Sequence, residues 1–174
     1  MTNVLFETAL GSFTVEVDTE NAPLTATNFL AYVDGGHYDR ATAYRIVTLA
    51  NQPPERDPKI EVVQLGIDPH DDQPEIFPPI AHETTEVTGL RHDDMTVSMA
   101  RLTPGSATSE IFICIGPQPE LDFGGRRNPD GQGFAAFGRV VDGRDTVLAI
   151  FGTAQTDSEY PTNPVAFSRA HRVA

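Results

Sequence analysis

Basic residues and cysteines are both scarce in this chain. Lys and Arg number 12 against 25 Asp and Glu in 174 residues, a formal charge of −13. A chain of that sign repels phosphate backbones, which disfavours nucleic acid as a partner. Cys114 is the only cysteine, so no internal disulfide can form, and a reducing, cytoplasmic setting is expected. No apolar run approaches membrane-spanning length, and the first residues lack the basic, apolar, then small-residue order of a secretory leader. Internal repeats and low-complexity linkers are missing too, so one domain over residues 1–174 is expected. The hydrophobic fraction of 39% is enough to build a core.

Several chemistries lack their spacing. His70-Asp71-Asp72, His82-Glu83 and His92-Asp93-Asp94 mix metal-ligand types, but none has the helical or finger spacing of a defined zinc site. They read as surface acidity, and no metal is expected. Ser98, Ser106 and Ser109 stand outside any nucleophile elbow, which argues against a serine hydrolase. Gly124-Gly125-Arg126-Arg127 has neither a strand before it nor a helix after it, so it reads as a flexible loop and not a phosphate cradle.

What is present is period-2 patterning. Phe13, Val15 and Val17 alternate with Ser12, Thr14 and Glu16, predicting a half-buried strand after a first one at Val4–Thr8. Pro23 suits the first turn of a helix; Ala26, Phe29, Leu30 and Val33 follow at helical spacing, and Gly35-Gly36 end it. A second helix is predicted from Arg144 to Phe151, with Gly152 past its end. Short β-branched or aromatic runs at 43–48, 60–65, 96–100, 111–115, 135–141 and 164–168 predict further strands. Two helices among many strands are compatible with a barrel or a sandwich. Residues 49–59 and 68–79 are polar and proline-rich, and both are predicted to be surface loops.

Six blocks in order carry more information than any of them alone. They are Ala43-Tyr44-Arg45-Ile46, Val63-Gln64-Leu65-Gly66, Ser98-Met99-Ala100-Arg101, Ser106 to Ile113, Glu120-Leu121-Asp122, and Gly133 to Val140. Together they resemble the cyclophilins, the cyclosporin-sensitive class of peptidyl-prolyl cis/trans isomerase. The resemblance implies a mainly β fold, an eight-stranded antiparallel closed barrel with an α-helix over each open end. It also implies a cofactor-free enzyme acting on X–Pro bonds of peptides and unfolded proteins, assisting their folding. A monomer is the default for that architecture.

Rotation about an X–Pro bond needs no nucleophile or metal. It needs a fixed donor for the prolyl nitrogen, a slot for the ring, and anchors for the flanking backbone. The resemblance assigns the donor to Arg45, whose planar fork a lysine would not reproduce. It assigns a substrate-backbone contact to Gln64 and the proline pocket to Phe112, Leu121 and Phe134. Ala100 and Arg101 match the pair along which the substrate lies extended.

The chain also departs from the family pattern. Glu110 stands where glutamine is usual, trading amide donors for a charge. Arg45 and Gln64 are separated by 18 residues, roughly ten more than the resemblance implies, in a segment of loop composition. Glu61 and Val62 then stand in place of a Phe-Met pair, so an aromatic wall is expected to be missing, with Val62 at the pocket edge. Glu120 replaces the tryptophan that contacts cyclosporin, which predicts weak cyclosporin binding at most. A module that binds proline peptides with little catalysis is the alternative those departures favour.

Overall fold

The computed structural model describes residues 1–67 and 75–174. Pro69, Pro74 and the His70-Asp71-Asp72 cluster lie outside the described residues. The first two strands, β1 (Thr2–Thr8) and β2 (Gly11–Val17), form a hairpin whose register pairs Phe6 with Phe13 and Val4 with Val15. All four side chains are fully buried, so the period-2 pattern directs one face into the core. Helix α1 (Pro23–Asp34) begins with proline at its first turn, as predicted. Ala22 supplies no side-chain cap. Glu83 caps the helix from across the fold, its carboxylate accepting from the amides of Leu24 (3.2 Å) and Thr25 (2.7 Å) and from the Thr25 hydroxyl (2.6 Å). An anion at a helix N-terminus is favoured by the exposed N–H groups and the helix dipole. Glu83 is therefore a structural cap, not surface acidity.

The remaining strands are β3 (Thr42–Val47), β4 (Val62–Gly66), β5 (Thr96–Met99), β6 (Ile111–Cys114), β7 (Ala135–Asp142) and β8 (Phe167–Val173). They join one eight-stranded antiparallel sheet in the order β3-β4-β6-β5-β7-β2-β1-β8. The sheet curls until its outer strands meet. At that seam Thr42 bridges Ala166, the Ala43 amide donates to Val165 O (3.0 Å), and the Phe167 amide donates to Ala41 O (2.9 Å). A bridge and loop bonds thus close the barrel where a full ladder would not reach.

The last ladder starts later than the apolar run at 164–168 suggests. Val165 and Ala166 are used at the seam, while β8 continues through Arg169, His171 and Arg172. Arg172 forks onto Asp34 of α1, at 2.8 and 2.6 Å.

Helix α3 (Arg144–Phe151) packs Val147 and Ile150 inward. Its entry needs Gly143, at φ +76°, where a Cβ would lie 2.3 Å from Ser12 O. A single helical turn, α2 (Thr85–Thr88), is too short for periodicity to reveal. The barrel interior is aromatic: Phe6 stacks on Phe13 at 5.0 Å, Phe29 meets Phe137 at 4.9 Å, and Phe167 sits edge-on to Phe6 at 5.8 Å. Such pairs are worth about 0.5–1.5 kcal/mol each beyond their area. Among the described residues, no helix is long and apolar enough to cross a membrane.

Candidate functional site

Strands β4 and β6 are apolar on both faces. Val63, Leu65, Ile111 and Ile113 point into the barrel. Val62, Phe112 and Cys114 point the other way and pack with Val47, Ile60 and Leu121 into a second cluster outside it. That outer cluster floors a groove of about 560 Å³. All nine residues singled out from the sequence line it.

Arg45 stands opposite Gln64 in the β3–β4 register, so both side chains leave the sheet on one face. The guanidinium is held from two sides. Its Nε and one terminal nitrogen donate to Glu159 Oε2 at 2.9 and 2.7 Å, and the other terminal nitrogen donates to Gln64 Oε1 at 3.0 Å. Gln64 is oriented in turn, its amide donating to the Tyr44 hydroxyl at 2.6 Å. Three of the five donors of the fork are thus fixed, and the side chain keeps 25% exposure toward the groove. Glu159 lies far from Arg45 in sequence, and no motif flagged it.

Beside Arg45 lies an apolar pocket. Phe112 and Phe134 meet edge-to-face at 5.3 Å, with Leu121 and Val62 buried around them and Ala100 packed against the cluster. Ile60, just past the insertion at the head of the apolar run 60–65, completes the wall. Arg101 does not reach outward. Its side chain is 1% exposed, chelates Asp130 at 2.9 and 3.0 Å, donates to Gly133 O, and lies 5.2 Å over the Phe134 ring. It clamps the loop that carries Phe134, and only its backbone remains to meet a ligand. Glu110 sits half-buried, with the Ser109 hydroxyl donating to it at 2.9 Å. Burial pushes its carboxyl above the ordinary 4.5, and the Ser109 bond offsets only part of that rise. The Tyr38 hydroxyl and Asn28 amide, donating to Ser109 O and Thr108 O at 2.6 Å each, fix the approach to β6.

The insertion is a surface loop, as its composition predicts, with Leu49 54% exposed. It is nevertheless knitted in place. The Asn51 amide donates to Ile46 O, Gln155 O and Ser158 O. Gln52, 4% exposed, donates to Thr48 O and Ile60 O. Arg127 reaches across to donate to Gln52 Oε1 (2.8 Å) and Pro58 O (2.9 Å), and Arg126 pairs with Asp57. The Gly124–Arg127 segment is therefore an anchored brace; its main-chain bonds include Gly124 N to Gly131 O and Arg127 N to Glu120 O. Glu120 pairs with Arg126 and does not line the groove, so its charge is not left unpaired.

His92 departs furthest from the surface reading. It is 1% exposed, with Nδ1 2.7 Å from Asp122 Oδ1 and Nε2 2.9 Å from Ser98 Oγ, and its ring stacks on Phe112 at 5.9 Å. Ser98 is completely buried, so this Ser-His-Asp chain supports the groove floor and offers no nucleophile to substrate. Burial pushes Asp122 up, but bonds from His92 outweigh it and hold the carboxyl below its ordinary 3.8. His82 contacts Gln132 O at 3.1 Å, and among the described residues no cluster of three acidic, His or Cys ligands occurs.

Comparison with known proteins agrees with this geometry. The family model described as cyclophilin type peptidyl-prolyl cis-trans isomerase/CLD matches residues 3–172. A Streptomyces antibioticus peptidyl-prolyl cis-trans isomerase, cyp18, is 34% identical over 98% of either chain. Isomerase B of Escherichia coli K12 is 31% identical over 87% of this chain and 85% of its own length. Crystal structures of a Cryptosporidium parvum cyclophilin-type isomerase superpose with TM-scores of 0.78 and, for a crystal with the dipeptide Ala-Pro, 0.77. Both are 20% identical over 99% of this chain and at least 98% of their own.

Proposed function

The chain belongs to the cyclophilin-type peptidyl-prolyl cis/trans isomerases, and from that membership we propose that Arg45 is its catalytic donor. The X–Pro bond resists rotation by about 18–20 kcal/mol because twisting breaks amide resonance and returns the lone pair to nitrogen. A donor aimed at that nitrogen gains strength only as the bond twists, so it lowers the barrier rather than merely tightening binding. The observation that carries this reading is the guanidinium fixed by Glu159 and Gln64 at the rim of the Phe112–Leu121–Phe134 pocket. Because the fork is held before substrate arrives, little is spent ordering it during the reaction. Gln64 has an amide edge for the substrate backbone, Ala100 and the Arg101 main chain form the shelf beneath it, and Glu110 favours a cationic flank.

Ile60 and Val62 make the proline slot aliphatic on one side, which supports subdued isomerase activity compared with an all-aromatic slot. The Ala-Pro dipeptide named with the Cryptosporidium structure supports proline peptides as the ligand class. The continuous sheet supports a single domain, and the single buried thiol fits a reducing, cytoplasmic setting; from the family membership we propose that the chain works there as a monomer assisting protein folding. Cyclosporin should bind weakly, since Glu120 offers no indole and faces Arg126. A titration reaching inhibition only well above nanomolar cyclosporin is the expected result.

The test of the donor is a protease-coupled assay on a short proline peptide. Arg45→Ala should retain the fold and lose about 10²–10³ in kcat/KM, the usual cost of removing one preorganised donor.

A further inference from the structure

The cations of this groove are not all neutralised. Arg45 is paired with Glu159 and Arg101 with Asp130. Arg56 and Arg127 also line the groove. Arg127, half-buried, donates only to neutral oxygens, those of Gln52 and Pro58. Among the described residues the exposed Arg56 side chain makes no hydrogen bond or ion pair. Arg127 thus makes no ion pair among the described residues, and with the exposed Arg56 it forms a cationic corner in a chain of charge −13. Burial and the repulsion of Arg56 and Arg45 depress Arg127 to about 10. Next to them Asn128 lines the same groove, its buried Nδ2 without an acceptor among the described residues.

We infer that Arg56, Arg127 and Asn128 form a subsite for a carboxylate carried by the substrate, an Asp or Glu side chain within two residues of the proline. This inference rests on the isomerase reading of the groove. An entering carboxylate accepts from the exposed Arg56 fork and from the Arg127 nitrogens not used on Gln52 and Pro58. Asn128 Nδ2, buried without an acceptor among the described residues, joins them once its side chain turns toward the groove it lines. Arg56 belongs to the insertion, so the segment that replaces an aromatic wall with an aliphatic one supplies charge selection in its place. The pocket beside Arg45 takes the ring; the arginine corner selects the neighbour.

The test uses peptides carrying Glu or Gln two positions before, or two positions after, the proline. Each is measured with the wild-type chain and with Arg56→Gln, an exposed loop substitution. At low salt one Glu placement should exceed its Gln counterpart about fivefold in kcat/KM, near the upper end for a partly exposed ion pair. Arg56→Gln should bring that ratio to about one, and so should high salt. A ratio of one at both placements in the wild type, or a preference that survives Arg56→Gln, overturns the subsite. Dissociation constants for the same peptides read out the subsite independently of turnover. If the Gln peptides bind but are not isomerised, it is the catalytic reading that fails.

Discussion

At the scale of single residues, function depends on how few degrees of freedom each side chain keeps. Arg45 is aimed by Glu159 and Gln64, Gln64 by Tyr44, and Phe112 by the His92 ring behind it. The chain of bonds through His92 has a consequence in acid. Asp122 ionises below its ordinary 3.8 in the folded state. A depressed carboxyl contributes stability that is present above the unfolded pKa and is lost as pH falls through the folded one. Acid unfolding of the wild type should therefore steepen below about pH 4. Asp122→Asn should lose about 1.5–3 kcal/mol at neutral pH and show a shallower acid slope in denaturant titrations. An unchanged slope would exclude this carboxylate as a source of acid sensitivity. That Arg45, Gln64 and Phe112 line one groove was legible through the family resemblance, which names all three. His92 and Glu83 were not, because their burial depends on partners brought from 30 and 58–59 positions away. Acidic neighbours in sequence made both look like surface residues.

At the scale of elements, local signals were reliable where punctuation is strong. Pro23 and Gly35 bound α1, Gly152 ends α3, and the β1–β2 alternation sets its own register. They failed where an element is defined by its contacts. Strand β8 runs through Arg169, His171 and Arg172, beyond the apolar run at 164–168. The insertion is the opposite case: its exposed prolines and acids are visible in the sequence, but the burial of Gln52 and Pro58 beneath them is not. Gln52 satisfies Thr48 O, Ile60 O and Arg127 together. Gln52→Ala should cost about 1–3 kcal/mol, because it strands buried polar groups. It should also raise KM for proline peptides by loosening Ile60. Thermal melting and steady-state kinetics check the two effects separately, and a neutral variant would show that the loop does not support the pocket.

At the scale of the whole molecule, one curled sheet presents two apolar surfaces. The inner surface is the aromatic core; the outer one, on β4 and β6, is the groove floor. A substitution in either strand is therefore felt on both sides, which ties activity to global stability. Because all eight strands share one sheet, unfolding should be a single cooperative transition, with calorimetric and van't Hoff enthalpies in agreement. Two resolved transitions would divide the domain. The measurement that bears most directly on the central claim is the exchange rate of a proline peptide between its cis and trans forms, followed by NMR at equal concentrations of wild type and folded Arg45→Ala. The wild type should accelerate exchange clearly, and the variant should lose about 10²–10³ in catalysed exchange. Equal acceleration by both proteins would contradict that claim.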